Sequence, residues 1–100
     1  MQVHFIGRNG DRVTASPKPG DRLLDAAQSV GLPLEGTCNG QMACSTCHLI
    51  LHPDWFARLP RASIEEEDLL DLAPDACSTS RLGCQIVLQD HLDGLLARLP

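Results

Sequence analysis

The sequence predicts an α+β fold, and three observations carry that expectation. Short apolar runs of strand length open and close the chain, one longer run near the start has helical spacing, and small helical stretches fall late, after the third strand run. One hundred residues, 43% of them apolar, supply one core with little area to spare, so residues 1–100 are read as a single domain. Within it, residues 53–80 form an inserted helical region.

Each element has a local reason. Val3-His4-Phe5-Ile6 ends at Gly7, and Asn9-Gly10 gives the signal of a tight turn before Arg12-Val13-Thr14-Ala15, which makes a hairpin. Pro17 and Pro19-Gly20 break the strand. Asp21 is placed to cap a helix through Leu23, Leu24, Ala27 and Val30, which Gly31 and Pro33 stop. His48 to His52 reads as a strand ended by Pro53. Asp54 is the expected cap of a short helix through Trp55, Phe56 and Leu59, interrupted at Pro60. Ser63 and Glu66 have capping-box spacing and start a second stretch to Leu72, curtailed by Pro74. Gln85 to Gln89 and Leu95 to Arg98 then read as two strands joined by a polar turn at residues 90–94.

Composition excludes several function classes. Net charge is -5 and the eight basic residues are scattered, so the patch that phosphate recognition needs is missing and no nucleic-acid partner is expected. A basic protein surface suits such a chain better. No stretch approaches the roughly 20 apolar residues of a membrane span. The opening MQVHFIG has neither a basic nor an apolar leader region, so a soluble, cytoplasmic monomer is expected. Serines and histidines form no evident nucleophile and base pairing, and no glycine-rich phosphate motif occurs.

The chemistry lies in the cysteines. Cys38, Cys44, Cys47 and Cys84 are separated by five, two and thirty-six residues, and the run from Gly36 to Cys47 is rich in small residues. Such a loop turns backbone N–H groups towards sulfur, where hydrogen bonds disperse the charge of an iron-sulfur cluster. The pair Cys44 and Cys47 would also suit zinc, but a zinc ribbon usually supplies a second close pair, and Cys38 and Cys84 each stand alone. A zinc-bound structural module is the alternative these residues leave open. A Rieske site needs two histidine ligands, and neither His48 nor His52 has a distant Cys-x-His partner. The fifth cysteine, Cys77, reads as a free thiol.

Cys38 to His48, Glu65 to Ala73 and Ser80-Arg81-Leu82-Gly83-Cys84-Gln85 resemble the vertebrate-type ferredoxins, the adrenodoxin and putidaredoxin family, over nearly the whole chain. The resemblance implies a β-grasp fold with one 2Fe-2S cluster on Cys38, Cys44, Cys47 and Cys84, and an electron-transfer protein rather than an enzyme. All-thiolate ligation favours a potential of the order of a few hundred millivolts below zero. The implied role is a one-electron shuttle from an NAD(P)H-using, flavin-dependent ferredoxin reductase to a cytochrome P450. The alternative within the family is electron supply to iron-sulfur cluster assembly.

The stretch Ile64 to Leu72 holds five of the thirteen acids. At about 100° per residue, Glu67, Asp68 and Asp71 share one side, with Leu69, Leu72 and Ala73 on the neighbouring side. Early acids favour the positive end of the helix dipole, whereas Asp68 and Asp71 sit too late to do so. By resemblance, Asp68 and Asp71 are the main partner-docking residues, with Glu65 and Glu67 secondary. The family also implies that His48 joins its strand to the inserted helices by hydrogen bonding, and that Arg81 pairs with an acid between Glu65 and Asp68. Putidaredoxin-like chains end in an aromatic tail; this sequence stops at Pro100, so no tail-dependent contact is expected.

Overall fold

Alternation fixes the first hairpin. In a computed structural model that describes residues 1–32, 48–73 and 75–100, strands β1 (Val3–Ile6) and β2 (Arg12–Ala15) pair antiparallel, and Val3, Phe5 and Ala15 turn into the core. The connection is a five-residue loop rather than a two-residue turn. Gly10 adopts φ 87°, and the Gly7 amide donates to the Asp11 carbonyl at 2.9 Å.

Helix α1 (Leu23–Ser29) buries Leu23, Leu24, Ala26 and Ala27. Its N-cap is Arg22, not Asp21. The Asp21 carboxylate instead accepts the Lys18 amide at 3.0 Å, so its capping ability is used on the preceding turn.

Strand β3 (His48–Leu51) is buried along its whole length, and Pro53 stops it as anticipated. The short helix α2 (Pro53–Phe56) follows. Here too the cap differs: His52 is the N-cap, its Nδ1 accepting the Asp54 amide at 3.2 Å. Helix α3 (Ile64–Leu72) begins at Ser63, whose hydroxyl accepts the Glu66 amide at 3.1 Å.

The late strands depart furthest from the sequence expectation. Strand β4 is Ser80–Leu82, and the chain then makes a 3-10 turn over Gly83–Gln85. Residues 85–89 are not a sheet strand. They alternate as expected, with Ile86 and Leu88 buried and Val87 exposed, but their backbone partners lie on the segment before α1: Leu23 donates to Ile86, Leu88 to Asp21 and Gly20 to Leu88. A second 3-10 turn, Asp90–Leu92, leads to strand β5 (Leu96–Arg98).

The sheet order is β2-β1-β5-β3-β4, with β1 and β5 parallel and every other pair antiparallel. Side chains of α1, Leu49, Leu51, Leu82, Leu88, Leu92 and Leu95 fill one core. Among the described residues, no helix is long and apolar enough to cross a membrane. The stops expected at Pro33 and Pro74, and the loop from Gly36 to Cys47, lie outside the described residues.

Candidate functional site

Cys84 is the cysteine of the proposed quartet that the described residues include; Cys38, Cys44 and Cys47 lie outside them. It sits in the 3-10 turn that ends β4, between buried Gly83 and half-buried Gln85, and is only 5% exposed. The Gln85 side-chain amide donates to its sulfur at 3.4 Å. A buried sulfur carrying an aimed N–H donor suits a metal-bound thiolate, because that hydrogen bond offsets negative charge held away from water. Register adds to the fit. His48, which follows Cys47 in sequence, pairs with Leu82, two residues before Cys84.

A hydrogen-bonded frame holds this turn. His48 is buried, and its Nε2 lies 2.7 Å from the Ser80 hydroxyl, which also accepts the Cys77 amide at 2.8 Å. Thus His48 links β3 to β4 and to the segment leaving the inserted helices. Arg81 is buried as well. Its Nε and second terminal nitrogen donate to the two Glu66 carboxylate oxygens at 2.7 and 3.2 Å, and its remaining terminal nitrogen donates to the Pro60 carbonyl at 2.8 Å.

Glu66 also accepts the Leu82 amide at 2.9 Å, two residues from Cys84. The expected capping box is therefore half made. Ser63 caps the helix, while the Glu66 carboxylate turns to the β4 edge, where a buried guanidinium and an edge amide require it more.

The remaining acids of α3 point outwards. Glu65, Glu67, Asp68 and Asp71 are exposed, and the buried side runs through Glu66 and Ala73 with Leu69 and Leu70 half-buried. Leu72 does not belong to that side, contrary to the expected wheel. It is 80% exposed and Ile64 75%, so two apolar side chains share the surface that carries Asp68 and Asp71. Glu66 faces inward, and Leu72 faces out.

Cys77 carries an exposed free thiol. Hydrogen bonding from Thr79 above all, with smaller contributions from Ser80 and Arg98, lowers its pKa below that of an ordinary thiol. Glu66 is the acid of the expected range that Arg81 takes, whereas no site role was expected for Gln85. For Gln85 the signal was its position directly after Cys84.

The 2Fe-2S iron-sulfur cluster binding domain family matches residues 6–89. This chain belongs to that family. It is 49% identical over 102 residues to mitochondrial adrenodoxin of Gallus gallus, an alignment covering 100% of this chain and 71% of that protein. Among solved structures it is similar to a ferredoxin from Rhodopseudomonas palustris HaA2, with TM-score 0.95, 35% identity and coverage of 100% and 96% of the two chains. It is also similar to a chain of the covalent putidaredoxin reductase-putidaredoxin complex, with TM-score 0.94, 29% identity and coverage of 100% and 98%.

The protein is therefore a β-grasp 2Fe-2S ferredoxin of the adrenodoxin and putidaredoxin type, an electron carrier rather than an enzyme. The zinc-module alternative is set aside by that membership.

Proposed function

We propose that this ferredoxin carries single electrons from an NAD(P)H-dependent flavoprotein ferredoxin reductase to a cytochrome P450 monooxygenase, with Cys38, Cys44, Cys47 and Cys84 as cluster ligands. The observation that carries the reading is the site of Cys84, a buried sulfur with a donor on it, held by a frame whose other end is the acidic helix. When bound, the cluster supplies reversible one-electron chemistry at a negative potential. The chain's own residues would hold the Cys84 sulfur away from water, place the Gln85 N–H on it and present a charged surface. Asp68 and Asp71, with Glu65 and Glu67 beside them, are the docking residues for basic side chains of the reductase and acceptor. Ile64 and Leu72 add apolar contact between them. The relative solved with its reductase supports the donor side of this assignment. The protein works as a cytoplasmic monomer, one domain over residues 1–100.

Spectroscopy and reconstituted turnover test it. Cys84→Ala is expected to abolish the visible absorption of the cluster, whereas Cys77→Ala leaves it intact; the reverse pattern would sink the ligand assignment. Asp68→Asn with Asp71→Asn should slow reduction by the flavoprotein and flatten its salt dependence while leaving the cluster spectrum unchanged. Side-by-side assays with a P450 and with a cysteine desulfurase and scaffold pair decide the acceptor. Electrons consumed only by the second pair would move the protein to cluster assembly.

A further inference from the structure

Basic side chains are few in this chain, eight against thirteen acids, yet three of them line one cleft. The cleft has a volume of about 650 Å3 and lies between the segment after α2, the start of α3 and the chain after Cys84. Arg58, Arg61, Arg81 and His91 stand on its walls. Glu66 is the one carboxylate there among the described residues, and both its oxygens are engaged by Arg81 and the Leu82 amide. Among the described residues, neither Arg58 nor Arg61 forms an ion pair.

The placement of Arg58 is built. Arg58 stacks over the Trp55 ring at 4.6 Å, and Trp55 lies against Gly94 so closely that a Cβ there would sit 3.4 Å from the indole. This holds the α2 side of the cleft against the turn that carries His91. Arg61 is exposed and has no hydrogen bond or ion pair among the described residues. Asp90 adjoins His91 in sequence but does not line the cleft. Gln85, whose amide donates to the Cys84 sulfur, lines it too. A positive recess thus opens beside the residue that donates to the candidate ligand, in a protein whose net charge is negative.

We infer that this cleft is a second docking contact, opposite in sign to the outer face of α3, and that it receives a carboxylate side chain of the protein's redox partner. The inference rests on the electron-carrier reading. Charge complementarity selects an acidic group for the recess just as it selects basic groups for α3. Arg61 also lines the neighbouring groove with Glu67 and Asp71, so the two contacts adjoin. A partner presenting one sign alone could rotate on the acidic helix. One presenting a basic patch with an acid beside it is fixed in orientation, with its acid in the cleft that Gln85 lines.

Redox-inert paramagnetic ions test the surface directly. Titrated into the oxidised, 15N-labelled holoprotein, the trianion hexacyanochromate(III) is expected to broaden the amides of Arg58, Arg61, Gln89 and His91. The trication hexaamminechromium(III) should instead broaden those of residues 65–71. Arg61→Gln should cut the anion's broadening by about threefold at low ionic strength, Arg61→Lys should retain it, and a tetraglutamate peptide should displace the anion. Broadening unchanged in Arg61→Gln, or spread evenly over the molecule, would overturn the cleft, and failure of the peptide to compete would overturn its carboxylate occupant. A stopped-flow arm then follows one electron passing from the reduced cluster to ferricyanide, giving ferrocyanide, with an expected fall of about threefold in Arg61→Gln. An equal rate in that variant overturns the inference alone. A wild-type protein that donates nothing overturns the carrier reading itself, and the broadening map, read without electron transfer, tells the two failures apart.

Discussion

Helix α3 carries five carboxylates on two faces, and the faces obey different physics. Glu66 is 1% exposed and accepts three hydrogen bonds, two from Arg81 and one from the Leu82 amide. Glu65, Glu67, Asp68 and Asp71 are exposed, and their side chains make no hydrogen bond or ion pair among the described residues. Identical chemistry serves structure on one side and display on the other. The inner acid holds the turn that bears Cys84, while the outer acids hold nothing and are available to another molecule.

Removing the inner carboxylate should have the largest effect. Glu66→Ala leaves a buried guanidinium and an edge amide unsatisfied, and is expected to cost about 3–5 kcal/mol in denaturant unfolding. A loss below about 1 kcal/mol would place Glu66 with the outer acids and end the distinction. Next comes the cap that starts the helix. Ser63→Ala strips the acceptor from the Glu66 amide and should cost about 1 kcal/mol by the same measurement, lowering both faces together.

The outer face should be silent in that experiment. Asp68→Asn with Asp71→Asn is expected to leave the unfolding midpoint where it was, and a clear shift would show that these acids also serve the fold. The smallest effect belongs to an exposed acid that does have a partner. Hydrogen bonding to Arg22, with their charge attraction, lowers the Asp25 pKa below the ordinary carboxylate value. A lowered folded pKa means that the stabilisation is present above the ordinary value and is lost as pH falls through the folded one. Asp25 is exposed and Arg22 half-buried, and solvent screening should keep the gain under about 1 kcal/mol. The stability difference between the wild type and Arg22→Gln should therefore close on acidification, and a difference constant with pH would rule the pair out as its source.

What could be read in the sequence was local. The Val3–Ile6 and Arg12–Ala15 hairpin, the strand at His48 and the helix begun by Ser63 all follow from alternation, spacing or a cap within a few residues. Strand β4 was not legible because Ser-Arg-Leu does not look like a buried strand. Its polar residues tolerate burial only through His48 and Glu66, 32 and 15 residues away in sequence. Gln85 to Gln89 had the right alternation but found its partner before α1 instead of in the sheet. Asp21 and Asp54 have the chemistry of caps, and in each case a neighbouring residue holds the position. At the site, cysteine spacing and family resemblance pointed to the cluster, whereas the cationic cleft could not be read. Arg58 and Arg61 are near neighbours in sequence, but only the tertiary fold brings Arg81 and His91 to the same cleft.

The central place of β5 sets a timetable for synthesis. It lies between β1 and β3, pairing parallel with the former and antiparallel with the latter, although it comprises residues 96–98. A nascent chain still short of those residues holds a hairpin and a helix but has an unfilled slot where the sheet must close. Closure therefore waits until residues 96–98 have been made, and the long-range pairing that completes it makes folding slow relative to a helical protein of equal length. The strand that locks the sheet is the last of the five to be made, so the other four wait for it before they share one sheet.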